Sequence, residues 1–392
     1  MSPSYRIFLS TGEVSGDLQG SLLTAALLTE ARRRGYSLEI LALGGPQMAA
    51  QGAILLGDTS QIGAIGPINA VPFIGPTLKL HFQVEAKLRD APPDLTVLID
   101  YVGPNLRLGK RLQQQHQTPM VYYIAPPEWI WSQGLGVTRQ VVSLSDKMLA
   151  IFPGEATYFT KMGARVCWVG HPLLDKLQQS PSRIQARHQL GLGPQQPMIA
   201  LMPASRRQEL RHILPVVIRA AQHIYQRLPA VQFWLPVALP AYLPVLTQAV
   251  QHSGLPISLS TETHTVIAAA DVMITKSGTA NLEAALLGVP QVVVYRLGAI
   301  SAWLYQHLFR FRVDFISPVN IVAGQAVVPE LFQQEASPRQ ISDLACKLLL
   351  DSAERQQMLV GYEQVRSQLG QPGVLQRAAQ EILNMLARSA NP

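Results

Sequence analysis

The chain has 392 residues, long enough for two domains that each bury a core. Hydrophobic residues make up 48% and charged residues only 15%, which excludes a disordered chain and hints at an apolar surface. The net charge of +7 divides as +3 over residues 1–185 and +4 over 186–392; with no basic tail or aromatic-interleaved basic stripe, it suits phosphate ligands or an anionic membrane and argues against nucleic acid.

Apolar β-type runs alternate with helical spacing from the start. Arg6–Thr11, Leu38–Leu43, Leu95–Asp100, Met120–Tyr123, Met148–Phe152 and Val166–Val169 read as buried strands. Gly16–Arg34, Asn105–Gln115 and Gly154–Lys161 read as the helices between them. The turn residues of Ser180-Pro181-Ser182 and Gly191–Pro197 flank a short helical stretch, so a domain boundary is expected near residue 185. Alternation then resumes: strands at Met198–Met202, Val231–Leu235, Asp271–Thr275 and Gln291–Tyr295, and helices at Arg206–Arg227, Pro240–His252 and Thr279–Leu287. From Pro338 onward the chain reads as helical. The expectation is α/β: two doubly wound domains in tandem, 1–185 and 186–392, with ligands beyond the carboxyl ends of the strands and a cleft between the domains.

The opening run Tyr5–Leu9 reads as a first strand rather than a secretory leader. Thr59–Leu78 carries no charge, but its glycines and prolines argue against a continuous spanning helix. Cys167 and Cys346 give neither a zinc site nor a redox motif, and read as reduced thiols. The nine histidines show no paired metal spacing, and GxGxxG, P-loop and GxSxG patterns are missing.

Four stretches carry chemistry. Gly12-Glu13-Val14-Ser15-Gly16-Asp17 follows the first strand; its acceptor groups suit a hydroxyl-rich sugar, or Ser15 and Asp17 cap a helix. Ile99-Asp100 ends a strand before a turn and a helix starting near Asn105, which makes Asp100 either a general base or a turn residue. Ser205-Arg206 opens a helix whose free amides and charged fork suit a phosphate, and Ser205 with Gln208 also has capping-box spacing. Ser277-Gly278-Thr279 lets backbone amides approach an anion, and Glu283 lies one turn on, where it either accepts ribose hydroxyls or favours the helix dipole. His171 reads as a satisfied turn residue. Trp129 and Trp131 either stack on a sugar or fill a core, the core being preferred.

In order and spacing these stretches resemble the lipid-A-disaccharide synthase family. "GEASGD" appears as Gly12–Asp17, "GG..M...G" as Gly44-Gly45-Pro46-Gln47-Met48 with Gly52, and "IDxPDFN" as Ile99-Asp100 with Asn105. "YYVSPxxWAW" is similar to Tyr122–Pro126 with Trp129 and Trp131, and "VGHPL.D" to Val169–Leu173 with Asp175. "LPGSR..E" is similar to Met202–Arg206 with Glu209, "SGTATLE" to Ser277–Glu283, and "PNI.AG..VPELLQ" to Pro318–Gly324 with Val328–Gln333.

The resemblance implies a Rossmann-like pair of domains of the GT-B type with a helical C-terminal tail. It implies transfer from UDP-2,3-diacylglucosamine to 2,3-diacylglucosamine 1-phosphate, with inversion and release of UDP. Asp100 would be the base; Glu13, Ser15, Asp17 and Asn105 would place the acceptor. Ser205, Arg206, Ser277, Gly278, Thr279, Glu283 and Asn320 would hold the UDP-sugar. No cofactor or metal is expected, since arginine and helix starts would neutralise the diphosphate. The enzyme would sit in the cytoplasm, peripheral on the inner face of the inner membrane, and a homodimer is left open. Ile62, Ile65, Ile68, Val71, Phe73 and Ile74 would offer an apolar patch to acyl chains, or line a buried loop. His307 and Arg310-Phe311-Arg312 fit lipid headgroups or, preferably, a solvated face.

Departures fall mostly on the acceptor side. Gly103 replaces the second aspartate of "IDxPDFN", Val102 and Pro104 replace its Pro and Phe, and Gly154 breaks "PFE" before Glu155. Ala204 replaces the glycine of "PGSR", and Ser132 a basic residue. The alternatives are a related UDP-sugar transferase with another lipid acceptor, an epimerase of the same shape, and a non-catalytic nucleotide-sugar-binding relative.

Overall fold

The computed structural model describes residues 3–59, 67–130, 135–203, 207–237, 239–296 and 314–389, with the backbone alone at 67–74, 207–209 and 388–389. The chain forms two compact units, Met1–Asp175 with Leu369–Pro392, and Lys176–Gln368. The first contains β1 (Ser4–Ser10), α1 (Glu13–Arg33), β2 (Ser37–Gly44), α2 (Pro46–Ala50), β3 (Ile54–Asp58), α3 (Pro67–Asp90), β4 (Leu95–Ile99), α4 (Val102–His116), β5 (Met120–Tyr123), α5 (Leu135–Leu144), β6 (Lys147–Ala150), α6 (Pro153–Lys161) and β7 (Val166–Trp168). Its parallel sheet has the order β3-β2-β1-β4-β5-β6-β7. Helices cover both faces, so central strands are largely apolar; Ile7, Phe8 and Leu9 of β1 and Leu95–Ile99 of β4 are buried.

From α7 (Leu173–Lys176) the chain passes into the second unit. This unit contains α8 (Arg183–Gln189), β8 (Met198–Met202), α9 (Arg207–Arg227), β9 (Gln232–Pro236), α10 (Leu243–Ser253), β10 (Ile257–Ser260), α11 (Thr263–Ala269), β11 (Val272–Lys276), α12 (Thr279–Leu286), β12 (Gln291–Tyr295), α13 (Pro318–Ala323), β13 (Glu330–Phe332), α14 (Pro338–Leu350) and α15 (Ser352–Leu369). Its sheet, also parallel, has the order β10-β9-β8-β11-β12-β13. Strand order reverses between β1 and β4 in one sheet and between β8 and β11 in the other. A doubly wound sheet opens a crevice at that reversal, outside the strands' carboxyl ends.

Two expectations are corrected. The boundary lies at 175/176 rather than near 185, and the last helix, α16 (Val374–Ser389), returns to the first unit. Its hydrogen bonds explain why. Asp175 accepts from the amides of Gly373 (2.6 Å) and Leu375 (2.8 Å), Arg377 donates to the Val169 carbonyl (2.8 Å), and Arg34 donates to Asn384 (2.9 Å). Lys147 pairs with Glu381.

The second correction is at 67–90, where the sequence suggests no helix and a buried loop is one of two alternatives for the first half; helix α3 forms there and runs through Pro72, Gly75 and Pro76. Thr77, His81, Val84, Glu85 and Leu88 are buried at helical spacing, so one packed face outweighs poor local propensity. No helix among the described residues is long and apolar enough to cross a membrane. Of the apolar patch, Ile62 and Ile65 lie outside the described residues; Ile68, Val71, Phe73 and Ile74 lie on α3, and only their backbone is described. His307, Arg310–Arg312 and Trp131 also lie outside them.

Candidate active site

At the reversal in the first sheet, the turns after β1 and β4 pack together. A side chain on Gly12 would fall 2.5 Å from the Tyr101 ring, so only glycine admits the ring there. Glu13 (φ 62), Asp100 (φ 46) and Tyr101 (φ 47) all adopt the left-handed region, as does Ile124 (φ 59) just after β5. Each such residue costs about 1–3 kcal/mol, and a β-branched one is a marked outlier. Strain at three adjacent strand ends survives only where the surroundings enforce it.

Asp100 is braced through its backbone. Its amide donates to the carbonyls of Tyr123 (3.2 Å) and Ile124 (3.1 Å). Its carbonyl accepts from Asn105 Nδ2 and from the Tyr122 hydroxyl, both at 2.9 Å. Asn105 Nδ2 also meets the carbonyls of Ile99 (3.1 Å) and Ser10 (3.3 Å), while its Oδ1 accepts from Ser10 Oγ at 2.7 Å. Burial holds the Tyr122 hydroxyl above its usual range, keeping it a donor. Asp100 itself is exposed.

The residues of the first unit expected to place the acceptor therefore separate. Ser15 is exposed and Glu13 is half-buried, both at the start of α1. Asp17 is 1% exposed, and its carboxylate accepts from the amides of Gly45 (2.9 Å), Gln47 (3.0 Å) and Met48 (3.1 Å). It caps the start of α2 and is not available to a sugar. Asn105, 0% exposed, braces the Asp100 turn and is also withdrawn from the acceptor. Glu155 was not singled out as a site residue, yet its buried carboxylate accepts from Ala125, Ile151 and Phe152 amides. The sequence signal for it was the interrupted "PFE" match. His171 is buried, with Nδ1 accepting from the Leu173 amide (3.2 Å). Trp129 packs on Phe152, ring centroids 5.4 Å apart.

At the reversal in the second sheet, β11 ends at Lys276 and α12 begins at Thr279. Gly278 between them has φ 147 and ψ −164, a conformation essentially confined to glycine. Thr279 is exposed, while Ser277 Oγ donates to the Ile316 carbonyl (2.8 Å). Glu283 is nearly buried and accepts on one oxygen from Lys176 Nζ (3.1 Å) and His264 Nε2 (3.3 Å). Burial works against its charge, but those two neighbours hold its carboxyl below the usual range.

Asn320 is corrected. It is 1% exposed; Nδ2 donates to Val328 (2.9 Å) and Glu330 (2.7 Å), and Oδ1 accepts from the Val327 and Val328 amides. All its polar atoms are used inside the fold, so it cannot grip a nucleotide. Ser205 and Arg206 lie outside the described residues. Among the described residues no three His, Cys, Asp or Glu side chains gather as a metal site requires.

A lipid-A-disaccharide synthetase family model matches residues 7–384. The lipid-A-disaccharide synthase of Gloeothece citriformis (strain PCC 7424) is 50% identical over 381 residues, covering 97% of this chain and 99% of that protein. That of Prochlorococcus marinus (strain MIT 9313) is 47% identical over 387 residues, covering 97% and 99%. Among solved structures, the MnaA–UDP complex of S. aureus superposes with a TM-score of 0.67 at 14% identity, covering 98% of this chain and 97% of that one. That likeness extends the two-sheet architecture to distant sequences. Matched end to end by the family model and by relatives near half identity, the chain belongs to the lipid-A-disaccharide synthase family of glycosyltransferases.

Proposed function

We propose that the chain joins UDP-2,3-diacylglucosamine to 2,3-diacylglucosamine 1-phosphate and releases UDP, with inversion at the transferred sugar. The acceptor 6-hydroxyl attacks the anomeric carbon, the bond from that carbon to the diphosphate breaks, and Asp100 takes the hydroxyl proton. Glu13 and Ser15 orient the acceptor sugar. Arg206 and the amides at the start of α12 neutralise charge on the departing diphosphate, opened to it by Gly278. Glu283 accepts ribose hydroxyls, exchanging contacts with Lys176 and His264.

The observation that carries this reading is the exposed Asp100, held in strained backbone by Asn105 and Tyr122 at the reversal point of its sheet. Left-handed residues clustered at three neighbouring strand ends, with an exposed carboxylate among them, support a functional role for that carboxylate.

We further propose that the enzyme docks on an anionic membrane through α3. Its outer face carries exposed Phe82 beside a depression of about 620 Å³ lined by Gly75, Leu78, Lys79, Phe82, Gln83 and Ala86. Arg107 and Arg111 lie 5.7 and 4.7 Å from the Phe82 ring centre. An apolar wedge among cations suits lipid headgroups over acyl chains.

Incubation with donor and acceptor, read by mass spectrometry, should yield the acylated disaccharide and UDP, and excess EDTA should leave the rate unchanged. UDP release with a different acceptor only, or a UDP-sugar epimer as product, would replace the reading. Phe82→Asp should weaken sedimentation with anionic vesicles while leaving UDP affinity intact.

A further inference from the structure

Glu155 is a buried acid that the reaction as described does not use. It occupies the third position of α6, where a glutamate ordinarily satisfies the amide before its own helix. It does so at Phe152 (3.2 Å) and also at Ile151 (2.8 Å), both through Oε2. Its other oxygen reaches across to a different turn and accepts from the Ala125 amide at 2.8 Å. Helix capping does not require that last bond.

Ala125 follows Ile124, the β-branched residue in left-handed backbone, and the Ile124 carbonyl receives the Asp100 amide at 3.1 Å. A continuous path therefore runs from the Glu155 carboxylate through Ala125 and Ile124 to the backbone of Asp100. Asn105 and Tyr122 brace Asp100 from its carbonyl side; Glu155 braces it from the amide side. We infer that Glu155 is a positioning residue for Asp100, clamping the strained turn that sets where the Asp100 carboxylate points. This rests on the reading of Asp100 as the base.

The chemistry requires a carboxylate here. Three amide hydrogens converge on two oxygens; a glutamine would turn an NH2 group toward at least one of them. A protonated acid likewise gives up acceptor capacity. The charged and titratable groups around Glu155 are Asp100 at the end of β4, Tyr123 of β5 with its hydroxyl buried, Asp175 beyond Tyr123, and His171, whose ring is tilted against Phe152 with centroids 5.0 Å apart. Burial pushes the Glu155 carboxyl up to about 7, against the three amides that pull it down, and the Asp100 charge adds to the rise. The clamp consequently loosens as pH falls through neutrality.

The test compares Glu155→Gln, Glu155→Asp and Asp100→Asn on the full chain. Glu155→Gln should bind UDP normally and lose kcat by about 100-fold, the scale of a small misplacement of a reacting group. The acid limb of the wild-type kcat profile near pH 7 should vanish with it. Glu155→Asp, which keeps the charge, should recover part of the rate and retain a limb. A full rate in Glu155→Gln, or a slower rate with the wild-type limb unmoved, would overturn the inference. Should neither Glu155 variant fold, a carbon NMR titration of wild-type Glu155 decides: a midpoint matching the acid limb supports the clamp, and a mismatch overturns it. Asp100→Asn separates the two claims. If it turns over freely, the base assignment fails; if it is inactive while Glu155→Gln is normal, only the clamp fails.

Discussion

The two sheets solve the strand-end problem in opposite ways. In the first unit, residues bearing side chains take the left-handed conformation at the reversal point: Glu13, Asp100, Tyr101 and, next door, Ile124. In the second, glycine takes it, at Gly278. On the proposed reading, aiming the Asp100 carboxylate requires a Cβ where the backbone resists one, so the first unit braces against strain. On the same reading, offering amides to a diphosphate is eased where the Cβ is gone, as at Gly278. The buried polar residues follow suit. Asn105, Tyr122 and Glu155 converge on one turn, whereas Asn281, Ser317, Asn320 and Glu330 knit α12, α13 and β13 together well inside the fold.

If bracing is the difference, its removal should hurt most in the first unit. Asn105→Ala strips the partner from three carbonyls and from Ser10 Oγ, and should lower stability by about 3 kcal/mol in denaturant unfolding. A loss under about 1 kcal/mol would mean the strain is smaller than the dihedrals imply.

Glu155 gives a comparable effect with a pH signature. A carboxyl whose folded pKa is raised contributes stability below its unfolded value and loses it as pH climbs through the folded one. With the folded value near 7 against the usual 4.5, wild type should lose on the order of 3 kcal/mol relative to Glu155→Gln between roughly pH 4 and 8. The variant would thus be slower yet relatively more stable in alkali.

Gly278→Ala probes the other unit. The new methyl would lie 3.3 Å from Lys276 Nζ, a flexible group, so backbone strain of about 1–3 kcal/mol should dominate. UDP affinity should weaken about tenfold by calorimetry, while Asp100-dependent chemistry at saturating donor stays near normal. Gly103→Asp should do least. A Cβ there meets nothing within 4 Å, and the site is in the first turn of α4. A gain of about 0.5–1 kcal/mol is expected, with the rate unchanged. A large rate increase would instead place residue 103 against the acceptor.

Much of this was legible in the sequence because parallel strands buried on both faces are near-continuous apolar runs. Leu95–Ile99 and Gln291–Tyr295 are examples. The edge strand β3 was missed because it is half-exposed and contains Gly57; α3 was missed because its glycines and prolines hide a buried stripe visible only once packed. At the site, motif spacing located the turns but not the direction of their side chains. Asp17 and Asn105 sit in the same short runs as Glu13 and Asp100, and Asn320 in the Pro318–Gly324 run, yet all three point inward to partners within the fold. Spacing does not encode that choice, since a cap and a ligand group need the same donors and acceptors.

The most direct test is single-turnover disaccharide formation by Asp100→Asn at saturating donor and acceptor, with UDP affinity measured on the same sample. The account predicts a rate lower by about 100- to 10,000-fold with unchanged UDP affinity. A rate within about threefold of wild type would contradict it, leaving the strained turn after β4 without its chemical purpose.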